Sequence, residues 1–144
     1  MNDYIDIPER FWRFSTGEAR RKLAVRFNLP DTREMQDWEW IVADSKRIEE
    51  FFNVYTSGNI SDDEKFTLME TIFQSVEDSE HDLQNYETWK RILESIENTW
   101  PLHLYSVWYW SNWGNDDEND QLKITPYLRK MFLKHKNEID GDRG

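Results

Sequence analysis

The chain has 144 residues, which is enough for one domain with a hydrophobic core and too short for two comfortable domains. It contains 8 Trp, 8 Phe and 6 Tyr but no Cys, so disulfides, thiolate nucleophiles and cysteine-ligated metal sites are excluded. A net charge of −11 disfavours direct nucleic-acid binding, because a field of that sign repels phosphate backbones.

The first predicted helix lies in the stretch STGEARRKLAVRFNLP, residues 15–30. Either Ser15 or Thr16 serves as its N-cap, and Pro30 is the predicted stop. Apolar residues recur every four positions on one face, at Ala19, Leu23 and Phe27. Another face carries four bases, which we interpret as a solvated stripe: Arg20, Arg21, Lys22 and Arg26.

Apolar residues keep helical spacing from residue 31 to residue 56, with an interruption at Ser45. One long helix and two helices joined near Asp44–Ser45 both fit this pattern. After the turn SGN at 57–59, Ser61 and Glu64 form a capping box at the start of another helix. The buried stripe of that helix is predicted to contain Phe66, Met69, Ile72, Phe73 and Val76.

The C-terminal half predicts three further helices. A polar break at 76–85 precedes a helical stripe over 86–100, and Pro101 suits the first turn of a helix from about 101 to 112. The alternative for this last segment is a minor β-hairpin near 104–124, since aromatic and β-branched residues also suit strands. Thr125 is the predicted N-cap of the final helix, with Pro126 at its first position and a frayed tail from about residue 137.

These elements predict an all-α fold, a single compact domain over residues 1–144 with five to seven amphipathic helices around an aromatic core. No apolar run approaches the roughly 20 residues that a membrane span requires, and no secretory signal is recognisable at the N-terminus. We therefore expect a soluble cytoplasmic protein without a membrane partner.

The sequence offers little material for catalysis or for a metal site. A nucleophile elbow, a phosphate-binding loop and a dinucleotide fingerprint are all absent. Glu77 and His81 are four residues apart, as are Asp78 and Asp82, so each pair could meet a cation if both members lay on one helical face. The stretch fails as a calcium loop because it lacks the turn glycine. We predict no catalytic residue, no cofactor and no bound metal.

The acidic residues are concentrated in the middle of the chain. Residues 27–120 hold 22 acids and 6 bases, whereas both flanking segments are mildly positive. Such a field attracts a basic protein partner. One acidic stretch follows residue 76, and we take its acids as candidate partner-binding residues: Glu77, Asp78, Glu80 and Asp82.

The segment VWYWSNWGNDDEND, residues 107–120, places several aromatic rings beside a second acidic stretch. Trp108 and Trp110 are separated by about 200° around a helix, so they cannot share one face. The outward ring is either covered by the N-terminal arm or the last helix, or left exposed as an anchor for Arg or Lys. The candidate partner-binding residues here are Trp110, Trp113, Asp116, Asp117, Glu118 and Asp120.

A small, acidic, cysteine-free and aromatic-rich helical chain resembles the immunity proteins that bacteria make against their own polymorphic or contact-dependent toxins. The arrangement WYWSNW…KITPYLRKMF is similar to the C-terminal part of some small bacterial proteins. The resemblance implies tight one-to-one binding of a toxin domain, often a basic nuclease, with occlusion of its active site. We therefore expect a non-enzymatic inhibitor of a basic toxin. The alternatives are a helical adaptor that binds through exposed aromatics, and an enzyme of unknown type with a histidine in a deep pocket.

Overall fold

The computed structural model describes residues 7–32, 34–111 and 122–141, with side chains up to residue 136. All regular elements in these residues are helices, which confirms the all-α prediction and the predicted number of α-helices. The seven α-helices are α1 (Gly17–Phe27), α2 (Trp38–Ile41), α3 (Ile48–Thr56), α4 (Asp62–Asp78), α5 (Glu87–Asn98), α6 (Leu104–Trp110) and α7 (Thr125–Gly141). Two short 3-10 helices span Glu9–Phe11 and Leu83–Asn85.

The helices fall into two units, which we describe separately. The central unit is Phe14–Leu102, and the terminal unit combines Met1–Arg13 with His103–Gly144. A single domain over 1–144 stays a prediction. In the part of the chain that the structure describes, no helix combines the length and the apolar composition that a membrane crossing requires.

Helix α4 organises the central unit, because α1, α2 and α3 all pack against it. Its N-terminus is a complete capping box: the Ser61 hydroxyl accepts the Glu64 N–H at 3.2 Å, and the Glu64 carboxylate accepts the Ser61 N–H at 3.3 Å. The predicted stripe is buried at each of its members, Phe66, Met69, Ile72, Phe73 and Val76. Burial also extends to polar positions outside that stripe, so α4 is enclosed on most of its circumference: Thr67, Glu70, Thr71 and Ser75.

Helix α1 begins and ends on local caps. The Thr16 hydroxyl accepts the Ala19 N–H at 3.1 Å, so Thr16 rather than Ser15 is the N-cap. Asn28 adopts the left-handed conformation with φ of 55°, and the next N–H returns to the Ala24 carbonyl at 2.8 Å. The helix therefore ends before Pro30 can act as the stop.

Arg20 is not part of a solvated stripe, and this prediction is wrong for that residue. Its guanidinium donates to the Asp31 carboxylate and to the carbonyls of Thr32 and, at 2.9 Å, Met35. The same group lies 5.9 Å from the centroid of the buried Trp38 ring. The loop after α1 folds back against Arg20, which the local helical pattern does not reveal.

The stretch from residue 31 to residue 56 forms two helices, α2 and α3, as one of the two sequence alternatives predicted. Arg47 lies just before α3 and joins it to α1: its guanidinium donates to the Phe27 carbonyl at 2.8 Å and to both carboxylate oxygens of Glu50. The Phe27 and Phe51 rings meet edge-on with centroids 4.9 Å apart. Arg47 lies over both rings and closes this corner of the core.

In the terminal unit, α6 packs against α7. The hairpin alternative is wrong for 104–110, which is helical, and the helix begins at Leu104 rather than at Pro101 because residues 99–103 form turns first. The Thr125 hydroxyl donates to the Trp110 carbonyl at 3.0 Å, which fixes the start of α7 against the end of α6. Helix α7 continues to Gly141, beyond the residue at which we predicted a frayed tail.

Candidate partner-binding surfaces

Five of the candidate partner-binding residues lie outside the described residues: Trp113, Asp116, Asp117, Glu118 and Asp120.

Trp110, one of the candidate partner-binding residues, does not offer an exposed ring. Its side chain is only 4% exposed, on the face of α6 that also buries Val107. Tyr109, the next residue in sequence, is 51% exposed because it points to another side of the helix. Trp108 is half-buried and Trp110 is buried, so Trp110 is the inward ring of the two tryptophans that helical spacing separates.

Three other rings of the terminal unit form a row. Trp12 is 46% exposed, and its ring centroid lies 6.3 Å from that of Tyr105. The Tyr105 ring in turn lies 5.6 Å from Trp108. The Trp12 indole N–H donates to the Ile7 carbonyl at 2.8 Å, which fixes the ring. Part of the N-terminal segment thus contacts the aromatic side of α6 while leaving an exposed edge.

The second acidic stretch surrounds the end of α4. The helix ends at Asp78 because Ser79 is extended, with φ of −79° and ψ of 163°. Glu77 is a half-buried helix residue, whereas Asp78, Glu80 and Asp82 are exposed. The pairs Glu77–His81 and Asp78–Asp82 therefore do not share a helical face, and the described residues contain no group of three or more acids or histidines that could hold a metal ion.

Local hydrogen bonds hold the loop after α4 in place. Asp82 caps the following 3-10 helix by accepting the Gln84 N–H at 3.2 Å and the Asn85 side-chain amide at 2.7 Å. The Asp78 carboxylate accepts the Gln74 amide at 2.8 Å. Both carboxylates are therefore held by hydrogen bonds while remaining exposed to solvent.

An aromatic pair connects this loop to α3. The His81 and Tyr86 rings are stacked, with centroids 3.8 Å apart and planes 7° apart. The Tyr86 hydroxyl donates to the Glu49 carboxylate at 3.4 Å, and the Thr88 hydroxyl donates to the same carboxylate oxygen. Partial burial, reinforced by the negative charge of Glu49, raises the pKa of Tyr86, so its hydroxyl remains a donor at neutral pH.

We call the exposed acids of this region the acidic face; its members are Glu49, Asp78, Glu80 and Asp82. A groove of about 500 Å³ opens beside it, lined by Ser45, Lys46, Asp78, Ser79, Glu80 and His81. Lys46 supplies the base in this lining. An acidic rim beside stacked rings is suited to the charge and the flat faces of Arg and Lys side chains.

The sequence predicted three members of this face and missed Glu49. The sequence places Tyr86 at the start of a helical stripe and His81 in a pair that could meet a cation, and it predicts for neither a contact that joins α3 to the loop. Glu49 is 37 residues from Tyr86 and 39 from Thr88. No spacing rule covers such separations, because the contact depends on how α3 packs beside the start of α5.

Neither the protein-family models, nor the curated proteins, nor the solved structures match this chain. Function is therefore inferred from charge and geometry. The central unit has 10 bases and 19 acids, a net charge of −9, and the acidic face lies within that unit.

Proposed function

We propose that the protein is a non-enzymatic binding protein that neutralises a basic bacterial toxin, in the manner of an immunity protein, within the bacterial cytoplasm. The observation that carries the proposal is the acidic face, a set of exposed carboxylates on α3, on the end of α4 and on the loop after α4 in the central unit. The partner it suits is a basic protein domain, such as a nuclease whose groove normally receives phosphates.

Pre-organisation supports this proposal. Glu49 is positioned by two hydroxyl donors, Tyr86 and Thr88, and Asp82 by the 3-10 helix that it caps. Carboxylates that are already fixed lose less conformational entropy when they bind than free ones do. The surrounding excess of negative charge would also accelerate encounter with a basic partner at low ionic strength.

The decisive experiment uses the C-terminal domain encoded by the upstream neighbouring gene as the binding partner, where that gene encodes a large secreted protein. Calorimetry or surface plasmon resonance should show nanomolar binding whose association rate falls as salt rises. The chain should also protect growing cells from that domain. No binding, or tight binding that is insensitive to salt, would contradict the proposal.

Matched variants test the role of the acidic face. The triple variant Asp78→Asn, Glu80→Gln and Asp82→Asn removes three charges while retaining hydrogen-bond acceptors. Its control, Glu18→Gln, Glu34→Gln and Glu94→Gln, removes three exposed charges on other segments. We expect the first variant to bind about 100-fold more weakly and the control to change by less than about threefold. Equal losses in both would mean that net charge, not this face, drives binding.

The aromatic row favours a second candidate function, an adaptor that binds through exposed rings. Trp12 and Tyr109 are about half exposed, and Trp12 stands in a row with Tyr105 and Trp108. If this function is right, the variant Trp12→Ala with Tyr109→Ala should abolish partner binding or self-association in analytical ultracentrifugation. The acidic-face variant should leave both unchanged.

A further inference from the structure

A basic surface lies on the central unit, although that unit is strongly acidic overall. The exposed side of α1 carries Arg21, Lys22 and Arg26. Val25 lies among these bases. Its side chain is 84% exposed, more than any other large apolar side chain that the structure describes. We call these four residues the α1 patch.

The charges of the α1 patch are available to a partner. Within the described residues, the side chains of Arg21 and Arg26 make no hydrogen bond and no ion pair. Lys22 pairs with Glu18 at 3.1 Å, but both side chains are more than half exposed, so this pair contributes little and exchanges easily. Arg20, by contrast, is already engaged by the loop after α1.

The patch borders a groove of about 690 Å³. Its lining is Arg21, Lys22, Val25, Arg26, Asn59 and Glu64. The acid in this lining does not neutralise the patch, because Glu64 is 7% exposed and its carboxylate accepts the Ser61 N–H and hydroxyl. The accessible charge along the groove is therefore positive.

We propose that the α1 patch is a second docking surface, and that its occupant is a short acidic segment of a partner protein with an apolar residue beside its acids. Arg21 and Arg26 are separated by about 7.5 Å along the helix axis, at 1.5 Å per residue, and by about 140° around it, with Val25 between them. Two carboxylates four residues apart on a partner helix are separated by about 6 Å, so the two long side chains can reach them from either side while an apolar side chain beside them covers Val25. This site differs from the acidic face in both position and charge.

A nucleic acid fits the patch less well than an acidic peptide does. Three cations on one short helix contact only a few phosphates, and a longer polyanion would extend into the field of a unit whose net charge is −9. Phosphates and sugars also offer no apolar contact for Val25. A short peptide meets the patch alone, since charges beyond about 8 Å are screened at physiological salt.

The test is fluorescence anisotropy with the full chain and a labelled 15-residue alanine-based helical peptide. The peptide carries two glutamates four residues apart and a leucine on the same face. Companion probes replace the glutamates with glutamine or the leucine with alanine, and a single-stranded 15-nucleotide DNA represents the other class of polyanion. The protein variants are Arg21→Ala with Arg26→Ala, Val25→Ala, and the control Lys90→Ala with Lys130→Ala, which also removes two exposed charges.

Binding of the acidic peptide should weaken at least tenfold in the Arg21–Arg26 variant and less than about twofold in the Lys90–Lys130 control. The glutamine peptide should bind at least tenfold more weakly, and loss of either Val25 or the peptide leucine should cost about threefold. No binding to the wild-type chain at about 1 mM peptide would overturn the proposal. Equal losses in both double variants, or tighter binding of the DNA through the same arginines, would also overturn it.

Discussion

The same substitution, Thr to Val, should have opposite effects on stability at two threonines of α4. Thr67 and Thr71 lie one helical turn apart, and their side chains are 0% and 2% exposed. The Thr71 hydroxyl donates to the Glu39 carbonyl at 2.7 Å and ties α2 to α4. The buried Thr67 hydroxyl has no hydrogen-bond partner among the described residues. Replacing either residue with Val keeps the β-branched shape and substitutes a methyl group for the hydroxyl.

The size of each stability change depends on whether removal of the hydroxyl leaves another polar group without a partner. Glu39 is among the last four carbonyls of α2, which have no i+4 partner within the helix, so Thr71→Val orphans an acceptor and should destabilise the fold by about 1–2 kcal/mol. Thr67→Val removes a desolvated group without a partner and should stabilise the fold by about 1 kcal/mol. Because helix propensity is nearly the same for both residues, the difference of about 2–3 kcal/mol reports hydrogen bonding alone.

Urea or thermal unfolding of the two variants measures this difference. At about 3 °C per kcal/mol for a chain of this size, the two melting temperatures should be roughly 6–9 °C apart, on opposite sides of the wild-type value. Each variant is the other's control for the Thr-to-Val exchange. Destabilisation of both variants by similar amounts would refute the reasoning, since it would mean that the Thr67 hydroxyl is satisfied in solution.

Further predictions concern the corner at Arg47 and the carboxyl of Glu39. Arg47→Ala should lower the free energy of unfolding by about 1–2 kcal/mol, because the Phe27 carbonyl loses its donor and the Phe27 and Phe51 rings lose the guanidinium that covers them. Arg47→Lys should recover only part of this loss, since an ammonium group cannot bond the carbonyl and both Glu50 oxygens as the planar guanidinium does. Equal unfolding midpoints for the Lys variant and the wild type would contradict this role. The pKa of Glu39 is raised, mainly because the carboxyl is partly buried and also because Asp37 is nearby. A hydrogen bond from its own backbone N–H and the charge of Arg20 oppose this shift without cancelling it. The folded chain therefore binds this proton more tightly than the unfolded chain, so stability falls as pH rises from the ordinary pKa of a glutamate through the raised one. Glu39→Gln should be more stable than the wild type at pH 7, and this difference in stability should shrink at acid pH. Denaturant titrations at pH 7 and at acid pH measure the difference, and a difference that grows at acid pH would contradict a raised pKa of Glu39.

The sequence predicts the helices well where their signals are local. The capping box at Ser61, the N-cap at Thr16 and the stripe from Phe66 to Val76 all involve residues within four positions or regular multiples of a helical turn. Helices form through hydrogen bonds between residues about four positions apart, so patterns over that range predict the observed helices. The break between α2 and α3 was likewise visible at Ser45.

Errors in the sequence interpretation arise where a side chain meets a distant segment. Arg20 looked like one of four solvated bases, yet it contacts residues 11 to 15 positions away, while Arg21 and Arg26 remain exposed. Helical spacing showed that Trp108 and Trp110 point apart, but it could not show which of them is buried. That choice depends on which face of α6 packs against its neighbours, a property of the assembled helices.

The acidic face likewise combines features that the sequence predicts with features that depend on contacts between distant segments. The sequence by itself determined the excess of acids, the absence of cysteine, the helical class and the exposed loop after α4. Only the tertiary structure decided that Glu49 lies beside this loop, that Tyr86 and His81 stack there, and that Arg20 is engaged by the loop after α1 while Arg21 and Arg26 stay exposed. Charge and helical periodicity are properties of the chain, whereas contacts over 30 or more residues exist only after the helices have packed.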